Sequence, residues 1–164
     1  MQIRDATLSD AAAAAALLRR SITELCVADH RNDPEILLPW IGNKTPKNLA
    51  SWIEQPSNSA LVAVRATTLL GIGMVSDQGE ITLNYVSPDA RFQGVTRALL
   101  AAMEARALAL GNVAVILTST VTARRFTSAP ATSTTQPGSM HPARRCCPSV
   151  FSHKRTQTRF RLLL

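Results

Sequence analysis

Tyr85-Val86-Ser87-Pro88-Asp89-Ala90-Arg91-Phe92-Gln93-Gly94-Val95-Thr96-Arg97-Ala98-Leu99-Leu100 decides the fold, because it reads as a strand end, a short loop and the opening of a helix. Upstream, Ile81, Leu83 and Tyr85 alternate with Glu80, Thr82 and Asn84, which predicts a strand from Glu80 to Val86 with one apolar and one polar face. Pro88 stops it. Downstream, Leu99, Leu100, Met103, Ala107 and Leu110 recur at helical spacing and Gly111 follows as a C-terminal cap, so a helix is predicted from about Gly94 to Leu110. Amides converging on a helix start are unpaired donors at the positive end of the peptide dipole, and Arg91 and Arg97 flank them with fixed charge. An anionic ligand is the natural occupant. Taken alone, the single glycine of this loop also fits an ordinary strand-loop-helix joint.

The rest of the chain supplies a sheet for this joint. Gln2 to Ala6 reads as a short first strand, and Ser9 or Asp10 caps a helix running through the alanines to Arg20 or beyond, alanine being the best helix former. From Cys26 to Pro56 the signals are mixed, with Pro34, Pro39 and Pro46 interrupting apolar patches, a short helix over Asn48 to Gln55, and Trp40 and Trp52 as packing anchors. Ser59 to Arg65 and Leu69 to Val75 are strands, and Ser76 to Gly79 is a turn, so Leu69 to Val86 is a hairpin that ends at the loop. Val113 to Leu117 is a continuous apolar run following a helix, the mark of a buried parallel strand. An antiparallel meander feeding one βαβ crossover is an α/β (α+β) fold.

Composition narrows the classes. At 164 residues and 46% hydrophobic, the chain has room for one domain with a substantial core. The net charge of +7 is unevenly distributed: residues 1 to 104 carry nine basic against eleven acidic side chains, while residues 105 to 164 carry nine basic and no acidic ones. The basic character belongs to one end, which argues against a nucleic-acid-binding core. No apolar run is long enough to span a bilayer, and the lone Cys26 and adjacent Cys146 and Cys147 form no disulfide framework, so a cytoplasmic protein is expected.

Arg91, Gly94 and Thr96 stand at the positions of the signature of the GNAT (GCN5-related) N-acetyltransferases: Arg or Gln, two residues, Gly, one residue, Gly or Ala. The chain resembles that family from about Ile3 to Phe126. Thr96 departs from it, since the family places a very small residue where the backbone meets the pyrophosphate. The resemblance implies a mixed, mostly antiparallel sheet flanked by helices, with acetyl-CoA as acyl donor, an amine as acceptor, and no metal. It implies further that the amides of Phe92, Gln93, Gly94, Val95, Thr96 and Arg97 cradle the pyrophosphate. The pantetheine arm would pair along Asn84, Tyr85 and Val86, with the Val86 amide polarising the thioester. Glu80 takes the place of the glutamate that serves as base in histone-acetylating members. Small amines, amino acids, antibiotics and protein N-termini are all acceptors in such a family, and a monomer or homodimer is expected.

The likeness breaks inside a motif. The family has Asn, two residues, Ala, three residues and Tyr after its fifth strand; here Thr120 and Ala123 hold the first two positions, but Thr127 stands for the tyrosine. A Ser/Thr/Pro-rich stretch follows at once. This divides the chain into an acetyl-CoA-binding domain over 1–126 and a basic, disordered tail over 127–164, with the family's last strands missing or degraded. A shift of reading frame near Phe126 accounts for the abruptness. The rival readings are a non-catalytic CoA-binding or interaction domain and a basic-tailed nucleic-acid binder.

Overall fold

A computed structural model describes residues 1–119 and, as backbone, the strand at 158–163. Six strands lie in chain order across one sheet: β1 (Gln2–Asp5), β2 (Asn58–Arg65), β3 (Thr68–Ser76), β4 (Glu80–Val86), β5 (Ala114–Ser119) and β6 (Thr158–Leu163). Every neighbouring pair is antiparallel except β4 and β5, which run parallel and are joined through helix α5 (Val95–Ala109). The expected mixed, mostly antiparallel sheet with one crossover is present.

Four helices fill the segment between β1 and β2: α1 (Ala11–Leu25), α2 (Val27–His30), α3 (Pro34–Gly42) and α4 (Pro46–Glu54). Two of the prolines that look like interruptions in the sequence are helix starts. Pro34 and Pro46 occupy first-turn positions, where a missing N–H costs nothing, behind Asp33 and Thr45, whose side chains accept from the amides of Glu35 and Asn48 at 2.9 and 3.2 Å. Ahead of α1, Asp10 accepts from the Thr7 amide at 2.8 Å and is gripped by Arg4 at 2.7 and 2.8 Å, which holds its carboxyl well below the usual carboxylate range.

Each face of the sheet carries its own core. On one, α1 and α4 bury Ala14, Leu18 and Leu49 against Val62, Ile72, Met74 and Leu83; on the other, α5 buries Val95, Leu99 and Met103 against Leu61, Ala63, Val75, Ile81 and Val115. A third cluster of Ile22, Cys26 and Trp40 closes the α1–α3 corner, where buried His30 accepts from the Asn32 amide at 3.0 Å and lies 3.1 Å from the Ile22 carbonyl. Both tryptophans pack as expected, Trp40 buried and Trp52 half-buried beneath the Lys44 ammonium at 5.2 Å.

Two expectations change. The simple alternation along β4 is broken: Val75 pairs with Ile81 but Met74 with Leu83, which leaves Thr82 as an extra, bulged residue. Ile81 therefore joins the α5 core while Leu83 and Tyr85 join the α1 side. Glu80 and Asn84, read from sequence as sharing one face, fall on opposite faces. Strand β6 is the second change, since the tail was expected to supply none. Its backbone pairs with the whole of β5, from Ser119 with Thr158 to Ala114 with Leu163. Two arginines, Arg159 and Arg161, interrupt the apolar residues of this six-residue segment, so no strand stands out in isolation, and the pairing comes from the open edge that β5 offers. Residues 120–157, including Thr120 and Thr127, lie outside the described residues.

Candidate functional site

Among the described residues, strand β4 is paired on both sides at one end and on one side at the other. Its parallel ladder with β5 is confined to Glu80 with Ile116 and Ile81 with Leu117, and it stops at the Thr82 bulge. Toward β3 the pairing continues to the strand's end, where the Ser87 amide donates to the Leu70 carbonyl at 2.8 Å. That bond makes Gly71 and Val86 a non-hydrogen-bonded pair, so alternation turns the amides of Val86 and Asn84 away from β3 and toward the gap beside β5. Two donors therefore line an open edge.

The edge runs into the loop. Ser87 accepts from the Asp89 amide at 3.4 Å and starts a single 3-10 turn over Pro88–Ala90, after which Phe92 (φ 60°) and Gly94 (φ 76°) adopt left-handed conformations that turn the chain into α5. The first helical bond is Ala98 to the Gly94 carbonyl at 3.0 Å. The amides from Phe92 to Arg97 have no partner among the described residues, which leaves a fan of donors at the head of a fifteen-residue helix. A side chain at Gly94 would meet nothing within 4 Å, so the requirement for glycine there is conformational.

The loop is held in place from two directions. Arg20 of α1 pairs with Asp89 at 2.8 Å, a contact that lowers the Asp89 carboxyl and raises the guanidinium, and Arg65 of β2 donates to Gln93 Oε1 at 3.0 Å. Gln93 Nε2 in turn donates to the Asp89 carbonyl at 3.2 Å. The Gln93 side chain is thus occupied with the loop itself and can offer a ligand only its amide. Val95 likewise is buried in the core, Thr96 is half-buried, and Arg91, Phe92 and Arg97 are exposed. Arg91 lies over the Phe92 ring at 4.7 Å. A groove of about 310 Å³ between α1 and the start of β3 touches the loop only at Ser87 and Asp89.

Helix α5 sits close to the sheet because β3 carries Gly71 and Gly73, two apart and therefore on one face. A Cβ on Gly71 would meet Val95 Cγ1 at 2.8 Å, and one on Gly73 would meet Met103 Sδ at 2.8 Å. The head of α5 therefore lies level with Val86, the partner of Gly71, while Asn84, the partner of Gly73, lies farther along the gap. The Gly-Ile-Gly spacing could have shown this approach in advance. The Arg20–Asp89 contact could not, since 69 residues separate its partners and neither sits in a motif.

The remaining predicted residues are placed as follows. Glu80 opens β4, exposed, with its amide donating to Ser76 Oγ at 3.1 Å. Tyr85 is half-buried against the α1–α3 corner. Asn84 is half-buried, and its Oδ1 is enclosed without a hydrogen-bond partner among the described residues. Among those residues no group of three His, Cys, Asp or Glu could hold a metal ion, and no helix is long and apolar enough to cross a membrane.

Comparison with known proteins agrees with this geometry. The family model described as an acetyltransferase (GNAT) domain matches residues 40–127, more than half of the chain and all of the open strand, loop and α5. The chain belongs to the GNAT acetyltransferase family. Among solved structures, the GCN5-related N-acetyltransferase of Rhodopseudomonas palustris is similar with a TM-score of 0.70 and 23% identity, over 77% of this chain and 78% of that one. The PaiA N-acetyltransferase of Thermoplasma acidophilum, solved with coenzyme A, gives 0.66 and 18% over 77% and 84%. YncA of Salmonella typhimurium, solved with its cofactor acetyl-CoA, gives 0.55 and 20% over 72% and 69%. At these identities the likeness is one of fold. No curated protein matches the chain in sequence. The GNAT match ends at residue 127, beside the break at Phe126.

Proposed function

We propose that this GNAT chain transfers the acetyl group of acetyl-CoA to a primary amine, with residues 1–126 as the cofactor-binding unit. The observation that carries the reading is the continuity of donors: the open-edge amides of Asn84 and Val86 lead directly into the unpartnered amides from Phe92 to Arg97. A pyrophosphate on the α5 head, between Arg91 and Arg97, leaves the pantetheine arm to lie along β4 as an added strand. The head of α5 lies level with Val86, so an extended arm passes Val86 before its thioester is reached. We therefore give Val86 the holding of the arm, and the Asn84 amide the polarising role that the sequence reading gave to Val86.

In the reaction the amine nitrogen attacks the thioester carbonyl carbon, the carbon–sulfur bond breaks and coenzyme A leaves as a thiolate. The ammonium proton must be removed first, and Glu80 is the base in this proposal. It lies four strand residues from Asn84, about 13 Å along β4, so the proton travels through water. Thr127 holds the place where the family has a tyrosine, and a threonine hydroxyl is too weak an acid for that role. The thiolate then takes its proton from solvent, a lesser loss because a thiolate is already a fair leaving group. Calorimetric titration of acetyl-CoA into the full chain, with a thermal melt alongside, tests the proposal. Saturable binding that raises the melting temperature is expected; a cooperative melt that acetyl-CoA leaves unmoved would overturn it.

A further inference from the structure

His30 is fully buried, and both of its ring nitrogens are spent on backbone partners of fixed polarity. Nε2 lies 3.1 Å from the Ile22 carbonyl of α1, which can only accept, and Nδ1 lies 3.0 Å from the Asn32 amide, which can only donate. The ring is therefore the neutral tautomer with its proton on Nε2. A second proton, on Nδ1, would set N–H against N–H and place a charge in a site closed to solvent. The bond it would break holds a costly turn: Arg31 and Asn32 are consecutive left-handed residues, φ 51° and 58°, between α2 and α3. We propose that His30 is an acid-sensitive latch, and that a proton taken from solvent onto Nδ1 releases the Arg31–Asn32 turn and frees α3 from the corner between α1 and β4.

Ile22 and Cys26 of α1 and Trp40 of α3 form the cluster at this corner, with Trp40 edge-on to the imidazole at 6.5 Å between centroids and Tyr85 of β4 packed on the same residues. Cys26 and Tyr85 are the titratable groups of that cluster, and neither is charged when protonated. On α1, Arg19, Arg20 and Glu24 are exposed, and Arg19 donates to the Ile41 carbonyl at the far end of α3 at 3.1 Å. Arg31 and Glu35 are exposed as well, Asp29 is half-buried on the same helix as His30, and Asp33 is spent on the α3 cap. Beyond α3, the Lys44 ammonium lies over Trp52. Helix α3 is nine residues long, too short to persist once detached. Opening the latch therefore melts α3 and uncovers Tyr85, while α5 keeps its packing on the opposite face of the sheet.

Amide hydrogen exchange of the full chain at about pH 8 and about pH 5, on either side of the usual histidine range, tests the latch. From the higher pH to the lower, the protection factors of the Asn32, Ile36 and Leu37 amides are expected to fall by about tenfold, with those of Leu99 and Met103 in α5 unchanged. The His30 ring C–H resonance is expected to titrate over the same interval. His30→Gln offers an acceptor and a donor without titrating, so its α3 protection is expected to be equal at both pH values. If that variant does not fold, the coincidence of ring titration and lost protection in the wild type decides. Protection that holds at the lower pH, a ring that titrates while α3 stays protected, an equal loss in α5, or a loss that His30→Gln shares would overturn the inference.

Discussion

The two ends of β4 are one strand under two sets of constraints. At Ile81 the backbone is paired to β3 on one side and β5 on the other, and at Asn84 and Val86 it is paired, among the described residues, to β3 alone. The first end builds the crossover that brings α5 back onto the sheet. The second leaves unspent donors facing the gap, and the loop and helix head continue them. What separates the ends is one inserted residue, Thr82, which ends the parallel ladder and reverses the face on which later side chains fall. A bulge next to a functional edge is a common device for re-aiming a strand.

Proline scanning would break this comparison if it is wrong. Tyr85→Pro removes an amide that faces β3 and should lower stability by about 2–4 kcal/mol, whereas Val86→Pro removes one that faces the gap and should melt within a few degrees of wild type. The same Val86→Pro variant should bind acetyl-CoA roughly tenfold more weakly. If both prolines unfold the chain equally, the edge is not open.

Glu80→Gln probes the paired end. If the carboxylate is the base, acetylation should slow roughly a hundredfold with acetyl-CoA affinity unchanged, read from kcat in an acceptor screen and from calorimetry. A variant of wild-type rate would move the base elsewhere. The smallest effect concerns the loop's anchorage: Arg20→Ala should weaken acetyl-CoA binding about two- to fivefold at low salt and by less as salt rises, since the pair with Asp89 is exposed. Asp89 is lowered by its partner, so the contact is complete above the ordinary carboxylate range near pH 4 and is lost only as the pH falls through the depressed value. Wild-type affinity should therefore hold down to about pH 5 as far as this contact is concerned.

Much of this molecule was legible in advance. The limits of β4 are as the alternation gives them, and α5 starts at Val95 because Gly94 and the helical spacing after it permit no earlier run. The chain's departure from its family at Phe126 also stands out in sequence, because composition changes there within a few residues. The bulge was hidden, since Ile81, Leu83 and Tyr85 are apolar whichever face each of them takes. The helices α3 and α4 were half visible: proline is read as a breaker until the cap before it is recognised. The clasp of Arg20 on Asp89 and the pairing of β6 are long-range events, and no local pattern encodes either.

Strand β6 carries a consequence for how this chain can vary. A bare outermost strand invites a second chain to pair with it, and β6, by pairing along the outer side of β5, takes over that outermost place among the described strands. Loss of Thr158–Leu163 therefore turns β5, a strand that carries the core residues Val115 and Leu117, into an adhesive margin.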